Sequence, residues 1–173
     1  YILLIIFFFF SEGLSAVTIQ VGAKKAHKSI RSAIEKALEG DTILVDGGHY
    51  KEGNLFINKP RLVLRGINKP VLDGENKFEI ISIKANGVVI DGFKLINSGI
   101  SSLEDLSGIK VYDSHSVSIL NNSFENTFFG IFLSNTVNTT IENNRLTAFS
   151  LKEHESGNGI HCWKSDSLRV IGN

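Results

Sequence analysis

The sequence contains no methionine and a single cysteine, Cys162. One thiol excludes an internal disulfide, and no CxxC or Cys/His run of zinc spacing accompanies it, so neither a disulfide scaffold nor a zinc module holds this chain together. The lack of methionine also removes the thioether ligands that soft metals favour. It leaves the sequence without an initiator, and the last residue, Asn173, falls inside a repeat. The chain is therefore expected to be a fragment, with further repeats beyond it. Charge of one sign is missing too: Lys plus Arg and Asp plus Glu each number 18. No net field draws in nucleic acid or an anionic membrane surface. The longest apolar run, residues 2–10, falls short of the roughly 20 residues of a membrane span. Small residues follow it as far as Ala16, so residues 1–16 read as a truncated secretory signal and 17–173 as the exported domain. An uncleaved anchor is the alternative; either way the domain is expected in the periplasm or otherwise outside the cytoplasm.

What remains is ordinary globular composition, 42% hydrophobic and 21% charged, in a length suited to one domain. From Ser29 onward, Ile30, Ala33, Ile34, Ala37 and Leu38 form the stripe of a short amphipathic helix, with Ser29 as N-cap and Gly40 as the residue that ends it. A β-rich run, Asp41-Thr42-Ile43-Leu44-Val45, comes next and is broken by Gly47-Gly48. Thereafter apolar pairs recur at period two: Leu55/Ile57, Leu62/Leu64, Ile81/Ile83, Val88/Ile90, Ile109/Val111 and Val117/Ile119. Nothing between them is long enough for a helical crossover, so tight bends must join short strands. Either a solenoid or an antiparallel meander satisfies this.

Repetition decides for the solenoid. Gly108-Ile109-Lys110-Val111, Gly130-Ile131-Phe132-Leu133 and Gly159-Ile160-His161-Cys162 begin three copies, the third delayed by a polar extension between Phe149 and Asn158. Ser114, Thr136 and Ser165 recur at one offset, Ile119, Ile141 and Val170 at a second, and Asn122, Asn144 and Asn173 at a third. A coil of three short strands stacks such equivalents about 4.8 Å apart. The predicted inward columns are Ile109/Ile131/Ile160, Val111/Leu133/Cys162 and Phe124/Leu146, and the asparagines read as a structural turn ladder. The fold class is all-β, a parallel β-helix behind a capping helix.

The helix and first strand, residues 29–45, with Gly48-His49-Tyr50-Lys51-Glu52 after them, resemble the cap of pectin-lyase-like right-handed β-helices. Val71-Leu72-Asp73-Gly74, Val88-Val89-Ile90-Asp91-Gly92-Phe93 and Gly157-Asn158-Gly159-Ile160-His161-Cys162-Trp163-Lys164-Ser165 more specifically resemble the NosD family of nitrous oxide reductase maturation. This resemblance implies an exported, non-catalytic accessory protein. It implies as partners an ABC transporter, with its ATPase and permease, and copper-handling proteins, and it implies copper as the cargo.

Candidate chemistry is sparse. A polysaccharide lyase or hydrolase needs clustered carboxylates. Asp113 near His115, and Glu104-Asp105, are the visible acids, and the latter read as solvated loop charges. His161 should point outward, like Lys110 and Phe132, with His154 in the nearby extension. These two are the candidate metal ligands, weighed against two unrelated exposed histidines. Cys162 should point inward as a small core hydrophobe. Trp163 shares an outward column with Tyr112 and Ser134, fit to stack on a sugar, anchor a partner or cover the extension. The turn Asp46-Gly47-Gly48-His49 lacks the context of a phosphate cradle. Two functions follow: the copper-maturation accessory, and as the alternative a carbohydrate-binding or polysaccharide-degrading β-helix.

Overall fold

The computed structural model of the chain describes residues 15–101, 103–148 and 157–173. The apolar leader, most of the extension after Phe149, and His154 lie outside the described residues. The path opens with β1 (Thr18–Val21) and the helix α1 (Ile30–Lys36). A first coil runs through β2 (Thr42–Val45), β3 (His49–Tyr50) and β4 (Leu55–Ile57), and a second through β5 (Val63–Gly66), β6 (Val71–Asp73) and β7 (Ile81–Ile83). The third comprises β8 (Val89–Asp91), β9 (Lys94–Ile96) and β10 (Ser107–His115); the fourth comprises β11 (Ser118–Leu120), β12 (Ser123–Glu125) and β13 (Phe129–Val137). The fifth has β14 (Thr140–Glu142), β15 (Arg145–Thr147) and β16 (Ile160–Trp163), before β17 (Arg169–Ile171).

Each coil gives one strand to each of three parallel sheets: β1-β2-β5-β8-β11-β14-β17, β3-β6-β9-β12-β15 and β4-β7-β10-β13-β16. The expected solenoid is thus the observed one. Period-two alternation sends every second side chain inward, and the register aligns those residues between coils. Leu55, Ile81, Ile109, Ile131 and Ile160 stand in one column. Leu72, Leu95, Phe124 and Leu146 form another. Each buried side chain of this kind contributes about 1.5–3 kcal/mol, and only the coil above or below can cover it.

The helix covers the first coil with Ile30, Ala33 and Ile34. Its N-terminus is held by Ser29, whose hydroxyl accepts from the Ser32 N–H at 3.2 Å. Glu52 accepts from the backbone N–H groups of Ile30 and Arg31, both at 2.9 Å. The helix is shorter than its apolar stripe predicts, for Ala37 already has extended backbone and Leu38 is exposed. The physical reason is Asp41, whose carboxylate accepts from the N–H groups of Leu38 and Val17, both at 2.8 Å, and turns the chain early. Gly40, at φ +82°, serves that turn and not the helix end.

The repeating glycines have a steric cause. A Cβ on Gly130 would lie 2.5 Å from the Gly159 carbonyl oxygen and against Leu146, and one on Gly108 would lie 2.7 Å from the Phe124 ring. The asparagine column is a hydrogen-bond ladder in which Asn122 and Asn144 are buried. Asn122 Oδ1 accepts from the Phe93 N–H at 2.9 Å, Asn144 Oδ1 from that of Asn122 at 3.0 Å, and Asn173 Oδ1 from that of Asn144 at 2.9 Å. The left-handed backbone belongs to the preceding column, Gly92, Asn121, Asn143 and Gly172.

Candidate functional site

Charged, hydroxyl-bearing and aromatic side chains gather on the outward face of the third sheet. Alternation that buries the isoleucines and leucines of β4, β7, β10, β13 and β16 turns Phe56, Ser82, Lys110, Phe132 and His161 outward in one row. Tyr112, Ser134 and Trp163 make the next row. On the other flank Ser107 and Phe129 are register partners. Alternation breaks just before β7, where Ile80 and Ile81 are both buried, and Glu79 sits at this break.

Glu79 is the centre of a polar knot. Its side chain is only 11% exposed, and it accepts a hydrogen bond from the Ser82 hydroxyl, with the Ser107 hydroxyl at 3.4 Å, the Asn54 amide at 3.5 Å and Lys110 Nζ at 3.7 Å. Burial pushes its carboxyl above the ordinary carboxylate range, opposed by the Ser82 hydroxyl, the Lys110 charge, Ser107 and Asn54. Around it lies a groove of about 600 Å³ bordered by Asn54, Lys77, Phe78 and the loop acids Glu104 and Asp105.

A second cleft, which shares Asp105 and Lys110 with the first, is lined by Phe129, Phe132, Ser134, His161 and Trp163. Phe132 is its buried floor: the His161 ring stacks on it at 4.8 Å and 19°, Phe129 meets it edge-on at 5.2 Å, and Lys110 Nζ lies 5.1 Å from its centroid. Trp163, 57% exposed, lies beside it in the same lining. Along the other edge Lys84 lies over Tyr112 and pairs with Asp113 at 3.4 Å. The Asn135 amide and Lys84 hold the Asp113 carboxyl below its usual range.

The residues singled out from sequence have definite places. His161 points outward as expected, packed in the ring cluster with Nδ1 3.2 Å from the Asn158 amide. Its proposed companion His154 lies outside the described residues, and among the described residues no three His, Cys, Asp or Glu side chains gather as a metal site. Cys162 holds the inward column beside Leu133, yet it is exposed because β16 is the last strand of its sheet. Partial burial still raises its thiol pKa. Asp113 engages Lys84 and Asn135, whereas His115 lies against the Ser116 hydroxyl at 3.3 Å. Glu104 and Asp105 are exposed as expected, but they border the Glu79 groove.

Glu79, Ser82 and Ser107 escaped the sequence reading. Ile81 and Ile109 are register partners, so the coil before the three clear copies carries its own insertion. Treating that insertion like the later one would have placed Ser82 in the row of Lys110. Apart from His161 and Trp163, polar residues of the NosD-like segments make local and coil-to-coil hydrogen bonds. Asp73 accepts from the Glu75 N–H at 2.9 Å, Asp91 from the Asn121 amide at 2.8 Å, and Ser165 donates to the Trp163 carbonyl at 3.0 Å.

Residues 30–173 match the family described as the right-handed β-helix region. The chain belongs to that family. No curated protein sequence matches this β-helix chain. Among solved structures it is similar to a rhamnogalacturonan lyase, with a TM-score of 0.59 and 12% identity over 91% of this chain and 56% of that one. It is also similar to a pectin methylesterase variant solved in complex with a hexasaccharide, with a TM-score of 0.53 and 17% identity over 90% of this chain and 65% of that one. The chain therefore spans between half and two thirds of these β-helices, and the likeness is one of fold.

Proposed function

We propose that this β-helix binds an extended polysaccharide along the outward face of its third sheet. The observation that carries this reading is a pair of adjoining clefts that share Asp105 and Lys110, one holding a buried, hydrogen-bonded carboxyl, Glu79, and the other an aromatic patch with exposed Trp163. Sugar rings present an apolar face and a rim of hydroxyls. The first suits the Trp163 and His161 rings, and the second suits Glu79, Ser82, Ser107 and Lys110. The parallel coils space these groups regularly, as a repeating ligand requires. The exported location expected from the apolar leader would set the groove among extracellular glycans.

Retardation in native gels containing soluble xylan, mixed-linkage β-glucan or polygalacturonate tests the reading. The protein is expected to be retarded by at least one, and Trp163→Ala is expected to weaken binding about tenfold or more, roughly 1.4 kcal/mol. Unretarded migration in all three sinks it.

The finer reading, a copper-handling accessory of metalloenzyme maturation, draws on the resemblance of residues 157–165. Its candidate ligand among the described residues, His161, is committed to the ring cluster. A Cu(I) competition titration under reducing conditions separates the two. Stoichiometric binding lost in His161→Ala would favour maturation over the glycan groove.

A further inference from the structure

We infer that the groove takes an uncharged glycan and excludes polyuronates. This rests on the glycan-binding reading and adds the class of substrate. Among the described residues, Lys77 and Lys110 line these clefts and Lys84 pairs with Asp113 at their edge, three lysines against four carboxylates, Glu79, Glu104, Asp105 and Asp113. Leaving Glu79 aside, the two signs only balance, three against three. The lysines nearest the rings are engaged: Lys110 Nζ lies 3.7 Å from Glu79 and Lys84 Nζ 3.4 Å from Asp113.

Arginine, whose planar fork suits carboxylates, is absent from the described lining of the groove. Arg31, on this sheet's flank, gives its guanidinium to the backbone carbonyls of Glu52 and Asn54. A polyuronate carries a carboxylate on each sugar. Laid along this face it would bring those charges beside exposed Glu104 and Asp105, within the Debye length of about 8 Å at physiological salt. It would also compete with Glu79 and Asp113 for their lysines. Like-charge juxtaposition of this kind rejects a partner without weakening the right one. The aromatic patch and hydroxyl-bearing floor discriminate against nothing uncharged.

The test compares soluble xylan and mixed-linkage β-glucan with polygalacturonate, by native gel retardation and calorimetry, on the wild type and on the double variant Glu104→Lys/Asp105→Lys. Both positions are exposed, so the fold should persist, as circular dichroism will check. A neutral glycan is expected to bind at least about tenfold more tightly than polygalacturonate. The double variant is expected to gain polygalacturonate binding that fades with added salt. Polygalacturonate binding the wild type as tightly as a neutral glycan overturns the inference and leaves the groove reading standing. Failure of all three glycans overturns both.

Discussion

Glu79 is a carboxyl whose folded surroundings favour its protonated form, and this has a pH signature. Its pKa is raised by folding, so the proton it holds contributes stability that is fully present below its ordinary value of 4.5 and is lost as pH rises through the folded value. Urea unfolding midpoints measured upward from pH 4.5 are expected to decline in the wild type and to decline less in Glu79→Gln. An identical slope in both would mean that burial does not govern this group. The same residue shows why the site was hard to read from sequence. A lone glutamate before a strand has no periodicity. It acquires meaning only when the coils stack Ser107 and Lys110 beside it, 28 and 31 positions along the chain. His161 was the converse case: its place in the outward row followed directly from Lys110 and Phe132.

At the scale of elements, the asparagine ladder does more than occupy a turn. Asn144 Oδ1 accepts from both the backbone N–H and the side-chain amide of Asn122, and its Nδ2 donates to the Ile119 carbonyl at 2.9 Å. Asn144→Ala strips partners from buried backbone groups on two coils and is expected to cost about 2–4 kcal/mol in chemical denaturation. Asn144→Asp retains the acceptor and loses the donor, and should fall between. A cost below about 0.5 kcal/mol for the alanine variant would show that water replaces the ladder. This column was legible because equivalent residues recur at fixed offsets. The helix end was misjudged, because the stripe through Ala37 and Leu38 satisfies helical periodicity while the contacts of Asp41, made across the turn, override it.

For the whole molecule, stability is a sum of coils and the interfaces between them. Ile90 and Ile119 are register partners on β8 and β11, so Ile→Ala at both is expected to be non-additive by 0.5 kcal/mol or more. Ile43 on β2 and Ile141 on β14 occupy the same sheet four strand spacings apart, about 19 Å, and their alanine variants are expected to add within about 0.5 kcal/mol. Strong coupling of the distant pair would mean that the solenoid unfolds as one indivisible block. The three-sheet architecture was readable because each coil repeats a pattern of small, apolar and polar positions. The groove was not, because it is written on the variable outward positions, which repetition does not constrain.

The ladder bonds join residues 22 to 29 positions apart wherever they occur along the stack. Folding such a chain never requires a loop longer than one coil to close, so the entropic barrier of each addition stays constant while the molecule lengthens. Relative contact order falls as coils are added, and a longer solenoid of this type need not nucleate more slowly than a short one. Once two coils have met, each further coil docks on a finished template.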